Sequence, residues 1–277
     1  MSSPLTAMWA WDNPVPRTLD ARGRGYAPAS VDALVEFCTS RGLARVYLAA
    51  PWAADEGPVG EWFAAASRAL RTASVQVGPL GGDPGWLADP RLAMTWARAA
   101  LRSGGGESVQ LDVEPWTTPA WTGDRPRVLR QWLALLDSVR AGLPADVGLG
   151  VDAPWWLAHE PYGAGTVLDE VLVRASSLGV VAFSDHAHGP DGIVSLAGPA
   201  VVAASAAGIP FTVGVETDTA EVAGGAQYTF VDEGPVVLEA ETSLVREAFA
   251  ELPGYQGVAV EHHRAWRKLL GLDAGLG

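Results

Sequence analysis

The chain has 277 residues and carries 19 basic against 32 acidic side chains, a formal net charge of −13. That balance opposes binding to nucleic acid or to an anionic membrane face, and no apolar stretch reaches the roughly 18 residues a spanning helix needs. Hydrophobic residues make up 48% of the sequence, which leaves ample core and excludes a disordered chain. The stretch Met1–Met8 lacks the basic and apolar regions of a signal peptide. Cys38 is the only cysteine, so an internal disulfide is excluded and a reducing, cytoplasmic location is expected.

In chain order, a first strand is predicted at Met8–Asp12. Ser30 then reads as the N-cap of a helix whose apolar residues Val31, Leu34, Val35 and Cys38 follow the i, i+3, i+4, i+7 spacing. A strand at Arg45–Ala50 precedes a second stripe at Val59, Trp62, Phe63, Ala66 and Leu70. The third strand, Val75–Leu80, leads to Asp89-Pro90, an N-cap and N1 pair opening a helix expected to bury Leu92 and Trp96. Strand four, Val109–Glu114, is followed by the clearest stripe, Leu129, Trp132, Leu133, Leu136 and Val139. Strands at Val147–Asp152 and Val180–Asp185 precede weaker, Ala- and Ser-rich helical segments at 166–177 and 195–207. Strand seven, Phe211–Glu216, is paired with a stripe at Leu244, Val245, Ala248, Phe249 and Leu252. Strand eight, Val258–His262, is followed by a closing helix at Ala265–Leu270.

Strand alternating with helix eight times predicts a parallel sheet, and eight units predict closure into a (β/α)8 TIM barrel. The strands support closure because one face is small or polar: Gln110, Asp112 and Glu114 in strand four, Gly148, Gly150 and Asp152 in strand five, Thr212, Gly214 and Glu216 in strand seven. An open parallel sheet is covered on both faces and would be apolar on both. No linker or low-complexity tract divides the chain, so residues 1–277 are read as one barrel domain.

Active sites in such barrels lie at the C-terminal ends of the strands. That edge carries Asp12 from strand one, Asp112 and Glu114 from strand four, Asp152 from five, Asp185 from six, Glu216 from seven and Glu261 from eight. Each acid alone is also a normal helix N-cap in a βα loop. Together, in an apolar cup, they must be protonated, hydrogen-bonded or facing a cation. An oxocarbenium ion, a cationic substrate and a metal ion all meet that demand. Twelve tryptophans are present, several just after strand-like runs: Trp52, Trp86, Trp116, Trp155 and Trp156. Any one of them is an ordinary core residue; their bunching at strand ends adds ligand stacking as a second role.

The segment Glu107-x-x-Gln110-x-Asp112-x-Glu114 resembles the D-x-x-D-x-D-x-E signature of family-18 glycoside hydrolases, the chitinases and their relatives. The resemblance implies Glu114 as proton donor to the glycosidic oxygen, with Asp112 orienting a substrate N-acetyl group that acts as nucleophile. Ala182-Phe183-Ser184-Asp185 resembles that family's M-x-Y-D, with Asp185 matching and Ser184 in place of the tyrosine. The chain also resembles a broader group of bacterial TIM barrels through Trp9-Ala10-Trp11, Leu111–Pro115, Gly214–Thr217 and His262–Trp266.

Glu114, Asp112 and Asp185 are therefore the expected catalytic residues. Substrate contacts are expected from Trp11 and Asp12, from Gln110 and Trp116, from Asp152 and Trp155, and from Glu216, Glu261 and His263. His186 and His188, with His262 and His263, have metal-ligand chemistry, but the first strand lacks the H-x-H of amidohydrolase barrels, so structural or substrate-contacting roles are preferred. No metal or cofactor is expected. The glycines at 81–82 and 104–106 lack the Lys-Ser/Thr of a phosphate loop, and no nucleophile elbow is present. The expected activity is glycoside-hydrolase-like, on a small sugar or glycoside. A cyclase, isomerase or lyase that encloses a cationic intermediate stays open beside it, as does an inert carbohydrate-binding barrel. Oligomeric state leaves no mark on the sequence.

Overall fold

The computed structural model describes residue 3, residues 5–12 and residues 30–272. Met1, Ser2 and Pro4, within the stretch read for a signal peptide, lie outside the described residues. The first four barrel strands are β1 (Leu5–Ala10), β2 (Arg45–Ala49), β3 (Gln76–Gly81) and β4 (Ser108–Leu111). The other four are β5 (Gly148–Pro154), β6 (Ser177–Val181), β7 (Phe211–Glu216) and β8 (Tyr255–Glu261). All pair in parallel with their sequence neighbours, and β8 pairs with β1, so the sheet is a closed barrel. A main helix follows each strand: α1 (Val31–Ser40), α2 (Gly57–Thr72), α3 (Pro90–Gly104) and α4 (Arg125–Gly142), then α5 (Val167–Arg174), α6 (Ile193–Ala206), α7 (Gly234–Phe249) and α8 (His263–Leu269). This is the (β/α)8 barrel that the alternation predicts.

Local chemistry starts the helices where the sequence places them. Ser30 accepts from the Ala33 amide and Asp89 from the Arg91 amide, while Thr166 and Asp169 exchange hydrogen bonds as a capping box at α5. In α3 the expectation for Leu92 fails: it is 39% exposed, and Ala93, Met94, Trp96 and Ala97 form the buried stripe instead. A two-stranded ribbon at Pro161–Tyr162 and Gly165–Thr166 was not foreseen. Among the described residues, no helix is long and apolar enough to cross a membrane.

The period of two along each strand separates two packings. Outward residues such as Val46, Leu48, Val109 and Leu149 join helix residues such as Leu34, Phe63 and Leu136 in the large core around the barrel. Cys38 belongs to it; burial pushes its thiol up to about 12, and the negative charge of Asp12 adds to that shift. Inward residues Ala7, Trp9, Tyr47, Leu80 and Ala259 form a small cluster inside the barrel. The Trp9 and Tyr47 rings lie 5.5 Å apart. That cluster plugs the lower barrel and leaves the C-terminal mouth to polar side chains.

Several strand ends differ from the sequence prediction: β4 stops at Leu111, three residues before Glu114, and two further differences carry acids away from the mouth. β1 spans Leu5–Ala10 rather than Met8–Asp12. Trp9 and Trp11 point inward, so Asp12 falls on the opposite side, against α8. β6 stops at Val181, four residues short of the predicted end. Asp185 consequently sits in the following loop, its amide donating to the Gln227 carbonyl.

Candidate active site

A cavity of about 740 Å³ opens at the C-terminal mouth of the barrel. β4 supplies its first wall, because its inward parity continues past the strand end into Asp112 and Glu114, both of which line the cavity. Pro115 then opens a short 3-10 turn that carries Trp116 to the same surface. Trp116 is backed edge-on by Trp132 at 5.7 Å and Trp156 at 5.4 Å, which fixes its ring.

Asp152 from β5 forms the floor. It is 2% exposed and accepts hydrogen bonds from Trp9 Nε1 at 3.0 Å and Gln110 Nε2 at 2.8 Å. Burial raises its carboxyl well above the ordinary value of 3.8, and the charges of Asp112 and Glu114 push the same way, against the two donors. This geometry depends on missing side chains. A Cβ on Gly179 would collide with the Asp152 carboxylate, and one on Gly150 would collide with the Gln110 amide. Glycine at these two positions lets both polar groups lie flat inside the barrel.

The opposite wall comes from β7, β8 and the loop after β7. Glu216 is 4% exposed, and its Oε1 accepts from the Thr217 and Asp218 amides at 2.7 and 2.8 Å. Glu261 accepts from Trp11 Nε1 at 2.7 Å. His262 Nε2 lies 3.0 Å from Asp218 Oδ2. Phe183, two residues beyond β6, and Glu221, in the loop after β7, complete the rim.

Of the residues expected at the site, Glu114, Asp112, Asp152, Glu216 and Glu261 meet in this cavity with Trp11 and Trp116. Gln110 acts one layer below, through Asp152. Four others lie elsewhere. Asp12 is fully buried outside the barrel, bound to His263 Nδ1 at 2.5 Å and Arg264 Nε at 2.8 Å. Its carboxyl is held at about 2: burial opposes this, and His263 and Arg264 outweigh it. His263 is the buried partner in that pair, at the start of α8, and does not line the cavity. Asp185 engages His186 Nδ1 at 2.5 Å in the β6 loop and does not line the cavity. Trp155 stacks edge-on against His159 at 6.0 Å, away from the cup. Ser184 is buried, its Oγ 3.3 Å from His186 Nδ1.

Sequence reasoning missed Trp9, Phe183, Asp218 and Glu221 as lining residues, while His262, one of the histidines given a structural or substrate-contacting role, does line the cavity. Strand parity would have found Trp9 two positions before Trp11. The Asp218 and Glu221 positions depend on a loop whose path no periodicity encodes. Among the described residues, no group of three or more His, Cys, Asp or Glu side chains is arranged to hold a metal ion.

No family model matches the sequence, and no curated protein is similar to it. Solved structures do share its fold. A family-18 chitinase from Pseudoalteromonas aurantia superposes with a TM-score of 0.60 at 14% identity, over 97% of this chain and 99% of that one. A chitinase from Rhizomucor miehei gives 0.57 at 13% identity, over 98% and 99%. The spore cortex-lytic enzyme SleL of Bacillus cereus gives 0.58 at 8% identity, over 97% of this chain and 74% of that one. The chain thus has the chitinase-like, glycoside-hydrolase-like TIM-barrel fold; at these identities the likeness establishes architecture alone.

Proposed function

We propose that the protein is a glycoside hydrolase acting on a small sugar or glycoside, with Glu114 as general acid. One observation carries this reading: Asp112 and Glu114, from the strand that resembles the chitinase signature, face a cavity of about 740 Å³ together with Trp11 and Trp116. Pockets of a few hundred to about 1,000 Å³ enclose ligands of this size. Glu114 donates its proton to the leaving oxygen as the glycosidic bond breaks, and the growing positive charge on the sugar ring is met by a neighbouring carboxylate. Glu216 suits that second task because two backbone amides hold its Oε1 in place beside the cavity. Asp152, buried between Trp9 and Gln110, supports Asp112 from below. We place substrate contacts at Trp11, Trp116 and Glu261, and treat the whole chain as one catalytic domain.

Ser184 is buried and turned to His186, which supports a mechanism that relies on protein carboxylates rather than on a substrate acetamido group. A panel of aryl glycosides with and without the 2-acetamido group tests the reading. Glu114→Gln should lower turnover by about 10²-fold or more, the usual scale of acid–base catalysis. Wild-type turnover in Glu114→Gln removes Glu114 from the role, and silence across the panel removes the hydrolase. The same aromatic and acidic cup favours a cyclase or lyase with a cationic intermediate as the second reading. Silence across the panel together with tight binding of a cationic polycyclic ligand selects it.

A further inference from the structure

At the end of the barrel away from the cup, a second cavity of about 240 Å³ opens beside the first residues of β2, β3 and β4. Arg45 and Arg71 line it, and both guanidiniums are held by neutral acceptors. Arg45 donates to Gln76 Oε1 from Nε at 3.2 Å and from Nη2 at 2.8 Å. Arg71, in the last turn of α2, donates from Nη1 to the Gly104 carbonyl at the end of α3. It lies against Gly105, where a Cβ would come within 3.1 Å of the guanidinium, so the glycines at 104–106 give it bare backbone to rest on. Among the described residues, the arginines that form ion pairs are others, and neither Arg45 nor Arg71 has a carboxylate within that reach. A guanidinium carries five N–H donors, so most of them remain for a ligand. Two fixed positive charges without an internal counter-ion suit a planar oxyanion, which they meet through paired hydrogen bonds. Ser74 adds a further donor at the lip. It turns the chain from α2 into β3 at φ +64°, among the described residues the one non-glycine in the left-handed region. Glycine is the usual residue just past a helix in that conformation; serine there costs stability and brings a hydroxyl to the cavity.

We propose that this pocket at the N-terminal end of the barrel binds a small organic monocarboxylate, whose carboxylate bridges Arg45 and Arg71 while a short aliphatic body rests on Val75 and Val77. Glu107 shares the lining, so one acid stands against two arginines; the balance admits a monoanion and opposes a phosphate dianion. The volume falls below the roughly 300 Å³ at which sites for drug-sized ligands begin, which keeps the ligand short. Chemistry in these barrels sits at the C-terminal ends of the strands, so this ligand is an effector and not the substrate. It clamps the starts of three adjacent strands and stabilises the folded barrel by mass action.

NMR titration of the intact protein at pH 7 and low salt, observing ligand signals, tests the site with butyrate, 1-butanol and butylammonium, and with inorganic phosphate as a competitor of butyrate. Butyrate should bind with a Kd of about 1 mM or below, and the other three at least about 10-fold more weakly, a difference of about 1.4 kcal/mol. Arg45→Gln and Arg71→Gln should each weaken butyrate by about 10-fold or more, because each removes half of the paired contact. Arg71 is exposed, so its replacement tests the site with the fold intact. Glu114→Gln, at the opposite end of the barrel, should bind butyrate within about 2-fold of wild type. Absence of butyrate saturation by about 10 mM, ten times the expected Kd, overturns the proposal. So does equal binding of 1-butanol, butylammonium or phosphate, or butyrate binding that survives either arginine replacement. Loss of butyrate binding in Glu114→Gln moves the ligand to the cup and overturns it as well.

Discussion

Replacing Asp12 by Asn tests whether the acid that left the cup has become a fastener of the barrel. Its carboxylate is fully buried and touches His263 and Arg264, the first two residues of α8, so it ties the end of β1 to the last helix. Burial would raise its pKa, but the two basic partners outweigh burial and hold it at about 2 instead of 3.8. At about 1.36 kcal/mol per unit, that depression is worth about 2 kcal/mol of folding stability at neutral pH. Because the folded pKa lies below the unfolded one, the contribution is complete above pH 3.8 and is lost as the pH falls toward 2. Asn keeps the shape and removes the charge shared by His263 and Arg264. Asp12→Asn should therefore cost about 2–4 kcal/mol at pH 7, the lower part from linkage and the remainder from breaking a buried pair. The gap to wild type should narrow as the pH falls from 5 toward 3. Urea unfolding of both proteins at pH 7, 5 and 3, followed by tryptophan fluorescence, measures it. A difference under about 0.5 kcal/mol at pH 7, or a gap that widens in acid, refutes the linkage argument.

Asp152 should behave in the opposite sense. Its carboxyl is pushed up by burial and by Asp112 and Glu114, so its ionisation weakens the fold as the pH rises above 3.8. Asp152→Asn accepts from Trp9 and, with the Gln110 amide reversed, donates to Gln110; it should match or exceed wild-type thermal stability at pH 8, and a clear fall in its melting temperature there refutes the assignment. Gly179→Ala places a methyl group against the Asp152 carboxylate; we expect a loss of about 1–3 kcal/mol, the scale of an overpacked core, with weakened binding in the cup, and unchanged stability by urea unfolding shows that the floor yields.

The barrel was legible because the stripes of α1, α2, α4 and α7 carry the 3.6 period and the strands carry the 2.0 period, with the cap residues Ser30 and Asp89 setting two of the helix starts. Asp112 and Glu114 were legible for the same reason: β4 extends its parity past Leu111 into the cup. Where a prediction failed, the decisive event lay beyond a strand's last hydrogen bond. Asp185 follows β6 by four residues, long enough for the loop to turn it to His186. Asp12 and His263 flank the two residues, Trp11 and His262, that do enter the cavity, and one step along a strand changes the face. Trp155 and Trp156 are adjacent, yet Trp156 backs Trp116 while Trp155 meets His159. Composition alone does not separate such neighbours.

The lone thiol gives this barrel an internal clock. Cys38 is inaccessible at the centre of the packing between α1 and the sheet, and its deprotonation is pushed up to about 12. The thiolate is the nucleophile toward disulfide and alkylating reagents alike, so at neutral pH such reagents react with this sulfur only when α1 lifts away from the sheet. The slow labelling rate then counts those openings, one protein molecule at a time, without any engineered probe. A ligand that locks Trp9 and Trp11 on the adjoining strand should slow the count in proportion to the occupancy of the cup. Mass spectrometry of a single alkylation event would thus detect binding even for a substrate that changes no absorbance and releases no product.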